Sequence, residues 1–269
     1  MTQVASSAST TPAVSALLQV RGVSMRFGGI QALQEVSFEV QARSICGIVG
    51  PNGAGKTTLF NCLGSLYRPT AGEIVFAGVP IAKRPAHRIA ALGLARTFQH
   101  TALFPALDVR DNVRVGMHSV TRCGFLTGAL RLRRGWVEER RIAEATDAVL
   151  EAMSLTALAG RLVGELPFGT RKRVELARAL VSRPRMLLLD EPAAGLNHEE
   201  VDQLRDTILR IRDEWQAAVL LVEHHMNLVM RTSDQVVALN FGAKIADGTP
   251  AEVSANEAVI SAYLGGATP

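Results

Sequence analysis

Apolar residues follow two different periods along the chain, and each period predicts its own kind of element. Two short strands come first, LLQVRGV and VSFEV, and the second alternates apolar and polar residues as a half-buried strand does. Runs that are apolar almost throughout predict buried strands. They are ICGIV (45–49), MLLLD (186–190) and AAVLLVE (217–223). Near the end, QVVALN turns at FG into AKIADG, a pattern that predicts a hairpin.

Between the strands, apolar residues recur every three or four positions and predict helices. A helix is predicted from Lys56 to about Leu66, and Pro69, Thr70 and Gly72 mark the return to the strand EIVFAG. Strand signals are scarce from 102 to 165, where a long amphipathic helix is predicted. The helical stripes are Ile142, Ala145, Val149, Ala152 and Met153; Val174, Ala177, Leu180 and Val181; and Val201, Leu204, Ile208, Ile211 and Trp215. We therefore expect a helical subdomain set into an α/β core.

Length and composition limit the number of domains and indicate the cellular compartment. The 269 residues suit one large domain or two small ones. Residues 1–16 are rich in Ser, Thr and Ala and predict a disordered tail without the features of a secretory signal. Residues 17–269 form the predicted domain, with the helical subdomain at about 102–175. Three widely spaced cysteines indicate reduced thiols in the cytosol.

The charge of the chain limits the classes of partner that it can bind. The net charge of +4 is mild, and the basic residues are not gathered on one extended element. The sequence therefore predicts no nucleic-acid partner, and it is compatible with anionic ligands or a membrane surface.

The stretch GPNGAGKTT matches the P-loop pattern and lies where that pattern should, between a buried strand and a helix. Glycines let the backbone N–H groups curl around phosphate oxygens, and the helix N-terminus favours the negative charge. Lys56 would reach the β- and γ-phosphates, and Thr57 would bind Mg²⁺. The predicted nucleotide-binding residues are Gly50, Pro51, Asn52, Gly53, Ala54, Gly55, Lys56, Thr57 and Thr58.

Two acidic residues end the strand MLLLD, where a P-loop protein needs a carboxylate for Mg²⁺. Asp190 fits that role, and Glu191 would orient and deprotonate the attacking water. His224 ends another buried strand, where it can hydrogen-bond a γ-phosphate. His224 and Gln99 are weak signals when each is taken alone.

Together these residues resemble the nucleotide-binding subunit of ABC transporters, from about Leu17 to the C-terminus. The resemblance implies an α/β fold of the ABC type, with an N-terminal antiparallel β subdomain and an inserted helical subdomain. It also implies that Phe27 in MRFGG stacks on adenine, and that Gln99 contacts Mg²⁺ and reports to the membrane subunits. His224 matches the switch histidine of the family, and 193–197 (AAGLN) matches its D-loop.

The stretch ELPFGTRKR matches the family's signature, usually LSGGQ, which contacts the γ-phosphate held by the opposite subunit. Pro167 replaces the usual Ser and Phe168 replaces the first Gly, while Gly169 remains. The resemblance thus implies that Gly169 acts in trans through its N–H and the helix dipole. His225 stands where the family usually has Asp.

Longer stretches narrow the resemblance. LFNCLGSLYRPTAGEI, RTFQHTALFPALDVRDNV, DEPAAGLN and the closing ADGTPAEV are similar to the ATPases of branched-chain amino-acid importers, the Liv type. They most resemble the first of the two ATPases of such a system, which carries RTFQ. Lipopolysaccharide-export ATPases have a similar ending, but RTFQ and EPAAGLN favour the importer.

Two other classes of protein explain fewer of these residues. A P-loop kinase for a small acceptor would explain the P-loop and Asp190, but not the signature helix, His224 or Gln99. A soluble ABC protein acting on ribosomes or DNA would carry two P-loops or a long coiled coil, and the sequence has neither.

The resemblance implies ATP and Mg²⁺ as cofactors and ABC permease subunits as partners. A second Liv-type ATPase would complete a heterodimer, with a homodimer as the alternative. It places the chain in the cytoplasm, peripheral on the inner face of the bacterial plasma membrane. The apolar run Ala102, Leu103, Phe104 and Leu107 would help to form the groove for the permease. The transported solute is not encoded in this chain, so amino acids like leucine, amides and urea all remain open.

Overall fold

The fold is known from a computed structural model that describes residues 16–97, 102–119 and 133–264. Within these residues the strands are β1 Leu18–Phe27, β2 Ile30–Val40, β3 Ile45–Val49, β4 Ala71–Phe76, β5 Val79–Pro80, β6 Leu94–Arg96, β7 Met186–Asp190, β8 Ala218–Val222, β9 Gln235–Asn240 and β10 Ala243–Gly248. The α-helices are α1 Lys56–Leu63, α2 Ala86–Ala91, α3 Val109–Val115, α4 Arg133–Ala152, α5 Phe168–Leu180, α6 His198–Asp213, α7 Met226–Thr232, α8 Pro250–Ser254 and α9 Glu257–Leu264.

The strands form two sheets. An antiparallel sheet has the order β2-β1-β4-β5, and a six-stranded sheet has the order β10-β9-β3-β8-β7-β6. In the larger sheet all neighbours are parallel except the β9–β10 hairpin. The predicted hairpin is confirmed, with Asn240 paired to Ala243. Because β3, β7, β8 and β9 run parallel, the segments that follow them leave the sheet at the same carboxyl edge, where α/β proteins bind ligands.

Five strands of the larger sheet, β3, β6, β7, β8 and β9, contribute side chains to two cores because their residues alternate between faces. Cys46 and Ile48 of β3 pack with the antiparallel sheet and α1. Ile45 and Val49 pack with the helices on the opposite face, including α3, α4 and α5. The buried runs of the sequence are buried because both faces of this sheet are covered, as predicted for ICGIV, MLLLD and AAVLLVE.

The helical stripes lie where the periodicity predicts. Val174, Ala177, Leu180 and Val181 of the α5 region are fully buried, and so are Ile208 and Ile211 of α6. Buried residues from 109–117 and 149–181 share one continuous core with the larger sheet. The fold is therefore the predicted α/β arrangement with an antiparallel β portion. Apart from Ala16, the predicted tail lies outside the described residues.

Several predicted boundaries differ from the structure. β1 and β2 extend beyond the predicted LLQVRGV and VSFEV, and two helices end earlier than predicted. α1 ends at Leu63 rather than near Leu66, because Gly64 closes the last turn onto the Phe60 carbonyl and Ser65 has a positive φ of 57°. α6 ends at Asp213, so Trp215 packs against the core from the turn that follows. The edge strand β6 and the helix α3 were not predicted, because each is too short for its periodicity to stand out.

Candidate active site

The P-loop is built by glycines whose conformations other residues rarely adopt. Gly50 follows β3 with a φ of 151°, and a Cβ there would lie 2.2 Å from the Leu239 carbonyl oxygen. Gly55 precedes α1 with a φ of 99°, and its Cβ would lie 2.7 Å from the Ala32 oxygen. Both positions therefore need glycine, for backbone conformation and for space.

The turn of the β9–β10 hairpin supports the P-loop from behind. The Gly242 N–H donates to the Ala54 carbonyl at 3.0 Å, and the Gln34 N–H donates to the Gly242 carbonyl at 2.8 Å. The hairpin thus links the P-loop to Gln34 of β2, a strand of the antiparallel sheet. This support comes from residues far apart in the sequence.

Lys56 lies at the first position of α1 and is only 5% exposed. Its Nζ donates to the carbonyls of Gly50 at 2.6 Å and Pro51 at 3.0 Å. Burial lowers the pKa of the Lys56 amine, and the charge of Glu191 opposes this change. The P-loop thus curls around its own lysine, which puts a cation at the centre of the predicted phosphate site.

Glu191 and His224 meet across two neighbouring strands. The register pairs Asp190 with Val222, so the residues that follow β7 and β8 emerge side by side. His224 Nε2 lies 2.7 Å from Glu191 Oε1. Glu191 has a positive φ of 46°, and its N–H donates to the Val222 carbonyl at 2.9 Å. The structure therefore brings together the acid and the histidine that the sequence singled out separately.

These two residues and the P-loop line one cleft of about 310 Å³. One wall consists of P-loop residues, the second of Glu191 and His224, and the third of β2 residues. Its lining is Ile30, Gln31, Ala32, Asn52, Gly53, Ala54, Gly55, Lys56, Thr57, Thr58, Glu191 and His224. The P-loop residues from Asn52 to Thr58 thus line the same cleft as Glu191 and His224, while Gly50, Pro51 and Phe27 are not among its lining residues.

Asp190 is buried beside this cleft and forms an ion pair that sequence reasoning missed. Arg96 of β6 donates from Nη2 to Asp190 Oδ2 at 2.9 Å and to Asn61 Oδ1 at 2.9 Å. Burial raises the pKa of Asp190, and the Arg96 guanidinium opposes that rise. Arg96 is the arginine of RTFQ, but no local sequence pattern connects it with a carboxylate 94 residues away.

Phe27 lies at the end of β1, and its ring is half-exposed. It forms a T-shaped pair with the Tyr67 ring, with the centroids 5.3 Å apart and the planes at 75°. Sequence reasoning missed Tyr67, which follows α1 without any motif of its own. Gln99 lies outside the described residues, so its predicted role stays a prediction.

The signature stretch lies apart from this cleft, at the start of α5. The helix begins at Phe168 after Pro167, and no side chain caps it. A Cβ at Gly169 would lie 2.2 Å from Glu200 Oε1, so Gly169 packs closely on the first turn of α6. The Phe168 ring lies against Gly195 of the D-loop, where a Cβ would be 3.0 Å from a ring carbon.

The guanidinium of Arg171 and the amine of Lys172 lie 5.7 Å and 5.8 Å from the Phe168 ring centroid. The aromatic residue that replaces the first signature glycine is therefore held by cation–π and D-loop contacts. The D-loop in turn ends at Asn197, which forms a capping box with Glu200.

A second cavity, of about 340 Å³, lies between β6, α3 and α5. Ala102, Phe104, Val115 and Arg178 are among its lining residues. Phe104 is 49% exposed, and Arg178 donates to the Ala102 carbonyl at 2.6 Å. Of the predicted groove residues, Ala102 and Phe104 line this cavity, while Leu103 packs against the core.

A buried lysine beneath a glycine-rich loop, with acidic residues at the end of a neighbouring strand, is the arrangement of P-loop nucleotide hydrolases. Comparison with known families refines this class. The model described as "ABC transporter" matches residues 33–194, and the one described as "Branched-chain amino acid ATP-binding cassette transporter" matches residues 243–268.

Individual relatives agree. The branched-chain amino acid transport ATP-binding protein BraF of Pseudomonas aeruginosa is 44% identical over 249 residues, covering 93% of this chain and 98% of BraF. LivG of Escherichia coli is 40% identical over 249 residues, with the same coverage of 93% and 98%.

Among solved structures, the ADP conformation of an ATP-binding cassette of an ABC transporter matches with a TM-score of 0.80 and 27% identity. The match covers 93% of this chain and 99% of that one. The chain belongs to the ABC transporter family of ATP-binding proteins, whose members hydrolyse ATP. No helix in the part of the chain that the structure describes is long and apolar enough to cross a bilayer.

Proposed function

We propose that this chain is the ATP-hydrolysing subunit that powers an importer of branched-chain amino acids or related small amides. The observation that carries the proposal is the 2.7 Å contact between Glu191 and His224, in the cleft that Lys56 closes. The names of BraF and LivG support the solute class, as does the match of the C-terminal residues to the branched-chain family model.

In this proposal the P-loop binds the triphosphate. Its N–H groups surround the phosphate oxygens, and Lys56 exchanges the Gly50 and Pro51 carbonyls for the β- and γ-phosphates. A phosphate is a stronger partner for an ammonium than a carbonyl, so this exchange favours the nucleotide. Phe27 stacks on the adenine, and the T-shaped contact with Tyr67 helps to hold the Phe27 ring in place.

Glu191 receives a proton from the attacking water, and His224 holds the Glu191 carboxylate in place and contacts the γ-phosphate. A general base must reach its water with a hydrogen bond, and the Glu191 side chain faces the P-loop across the cleft. His224 is half-exposed on that cleft and therefore accessible to a bound nucleotide. Gln99 is proposed to contact Mg²⁺ on the strength of the family resemblance alone.

The residues of the cleft suit a magnesium ion that takes most of its ligands from nucleotide and water. Thr57 of the cleft offers a hydroxyl, and Asp190, buried beside the cleft in its ion pair with Arg96, offers a carboxylate; Mg²⁺ prefers such oxygen ligands. Across residues 16–97, 102–119 and 133–264, no group of three or more His, Cys, Asp or Glu side chains is placed to hold a metal by itself. Mg²⁺ would supply charge neutralisation between the phosphates.

Gly169 is proposed to act on a nucleotide held by a second ATPase subunit. The cavity beside Gly169 shares no lining residue with the P-loop cleft, which supports a site in another chain. A second Liv-type ATPase is the proposed partner, and a homodimer is the alternative. Oligomeric state and ATPase activity of the chain purified alone and with such a partner would separate the two.

The cavity that contains Phe104 is proposed to receive a permease subunit on the cytoplasmic face of the membrane. A carboxylate in an apolar contact is costly to bury, so Phe104→Asp should abolish co-purification with the permease while ATP binding remains. Ile260→Asp, an exposed apolar residue on α9, is the matched control and should leave co-purification intact. Equal recovery of permease with both variants would reject this docking site.

The transport function is tested by uptake of labelled leucine into cells that lack the gene for this chain. Wild-type chain should restore ATP-dependent uptake, and Lys56→Ala should not. Uptake of labelled amides and urea in the same cells defines the solute class. If deletion of the gene left the uptake of all these solutes unchanged, the proposed importer function would be wrong.

A further inference from the structure

Glu223 is a buried acid that neither the sequence motifs nor the proposed chemistry uses. It follows β8 directly, precedes His224, and is 2% exposed. Its carboxylate accepts three backbone hydrogen bonds. Oε1 accepts from the Ala193 N–H at 2.6 Å, and Oε2 accepts from the N–H groups of His224 at 2.9 Å and His225 at 3.3 Å.

The two carboxylate oxygens serve two different loops. Oε2 serves the loop that carries His224, and a short Ser or Thr side chain often makes such local contacts with the N–H groups that follow it. Only the contact with Ala193 needs a longer side chain with a second acceptor, because Ala193 lies 30 residues away in the sequence. The choice of a buried carboxylate, which is costly unless hydrogen-bonded, is therefore explained by the bridge between loops.

The bridged loops are the two that carry the acid–histidine pair. Ala193 lies two residues after Glu191, and His224 comes immediately after Glu223. Glu191 holds a positive φ, a conformation that costs free energy and persists only where the surroundings impose it. The Val222 carbonyl fixes the N–H of Glu191 on one side, and Glu223 fixes the chain after it through Ala193.

We propose that Glu223 is a positioning residue that holds the Glu191 loop and the His224 loop in register for ATP hydrolysis. This inference rests on the proposed function of Glu191 and His224. Glu223 is buried behind both residues and acts on the backbone, so it contributes to turnover without contacting the nucleotide. Because Ala193 is also the first residue of the D-loop, the same bridge ties the His224 loop to the segment that packs on Phe168.

Two variants separate the arms of the bridge. Glu223→Gln retains the size but replaces one acceptor oxygen with an NH₂ group, which then faces a backbone N–H donor. Glu223→Thr can still serve the His224 loop, but it is too short to reach Ala193. In the assembled complex, both variants should lower kcat by about 10-fold or more, because misplacement of catalytic groups by about 1 Å is worth roughly 100-fold. ATP affinity should stay within about two-fold of wild type, because the P-loop is untouched.

A spectroscopic readout distinguishes positioning from general stability. With the full chain labelled at its 6 histidines, the ring signals of His224 should shift in both Glu223 variants while that of His87, which lies far from both loops in the sequence, stays in place. Thr232→Val is the matched control. It also removes a buried hydrogen bond, from Thr232 to the Leu228 carbonyl, but this bond lies within α7 and does not connect the two loops. It should lower the melting temperature but keep both kcat and the His224 signals.

The outcomes separate this inference from the proposed function. If Glu191→Gln hydrolyses ATP normally, the proposed site is wrong and this inference falls with it. If Glu191→Gln stops hydrolysis while both Glu223 variants retain wild-type kcat and His224 signals, the positioning role alone is wrong. The positioning role is also wrong if Thr232→Val lowers kcat as much as the Glu223 variants do.

Discussion

Two helices of this protein start without a side-chain cap and are proposed to point at phosphate, and they are built in opposite ways. α1 follows glycines whose missing side chains make room for neighbouring backbone at Leu239 and Ala32. α5 follows a proline and is held by side chains, with Phe168 against Gly195 and Glu200 against Gly169. A site made by the backbone requires particular residues, whereas a site supported by side chains can change its sequence if the packing is replaced.

This difference explains why the P-loop keeps its full motif while the signature does not. Replacing the first signature glycine with Phe168 leaves the α5 backbone intact, because the ring turns toward the D-loop and two basic side chains. A side chain at Gly50 has no such freedom, since it would meet a carbonyl oxygen of the central sheet. Substitutions should therefore be much more damaging at α1 than at α5.

The largest effect is expected for Gly50→Ala. The new Cβ would lie 2.2 Å from the Leu239 oxygen, and the φ of 151° is rare for alanine. Strain of this kind costs about 1–3 kcal/mol for the conformation alone, and the clash adds to it. We expect ATP affinity of the isolated chain to fall by about 100-fold or more, measured with a fluorescent ATP analogue.

Gly53→Ala is its matched control. Gly53 also has a positive φ, of 79°, but a Cβ there would meet nothing within 4 Å. Its affinity should fall by only about 10-fold, which is the cost of the conformation without the clash. Equal affinities of the two variants would mean that backbone crowding does not shape the P-loop.

Gly195→Ala should have the next largest effect, and it tests the contact between the D-loop and the start of α5. Its φ of 80° disfavours alanine, and the Cβ would lie 3.0 Å from the Phe168 ring. We expect a loss of about 1–3 kcal/mol in the free energy of unfolding. A double-mutant cycle with Phe168→Ala measures the contact separately from the conformation. Purely additive losses would show that the ring and the D-loop do not interact.

Gly169→Ala should have a smaller effect on stability, and whether the melting temperature falls or rises should depend on Glu200. Alanine normally favours a helix over glycine by about 0.5–1 kcal/mol. Here the Cβ would lie 2.2 Å from Glu200 Oε1, so Glu200 must turn away and lose its capping bond to the Asn197 N–H. We expect the melting temperature to fall by roughly 2–4 °C.

In a Glu200→Ala background, the same change at Gly169 should raise the melting temperature instead. A decrease in both backgrounds would mean that Glu200 is not what restricts position 169. Because any side chain at Gly169 meets Glu200 first, an activity loss at this position reports on nucleotide contact only in the Glu200→Ala background.

Pro167→Ser should have the smallest effect. Pro167 precedes α5 without capping it, and a serine hydroxyl there can accept an N–H of the first turn. The expected gain is about 0.5 kcal/mol in the free energy of unfolding, the lower end for an N-cap hydroxyl, with turnover of the complex changed less than about two-fold. A large rise in turnover would mean that the missing hydroxyl, and not only the α5 backbone, serves the signature.

The sequence predicted the parts of this molecule that short stretches determine. Strands buried on both faces read as continuous apolar runs, and the P-loop is a contiguous motif, so ICGIV and GPNGAGKTT placed the centre of the site. The missed residues act over long sequence separations. Arg96 reaches Asp190, Glu223 reaches Ala193, and Tyr67 approaches Phe27, and no periodicity or spacing encodes those contacts.

The central claim is that the P-loop cleft binds ATP independently of Glu191 and hydrolyses it through Glu191. The most direct measurement is the identity of the labelled nucleotide that remains bound after the assembled complex is incubated with ATP and Mg²⁺. Wild type should contain ADP, while the complex with Glu191→Gln in this chain should retain ATP in this chain's cleft. The mutant complex should hydrolyse the ATP in this cleft more slowly than wild type by roughly 10²–10⁴-fold, the usual contribution of a general base. A Glu191→Gln cleft that filled with ADP at the wild-type rate would contradict the account.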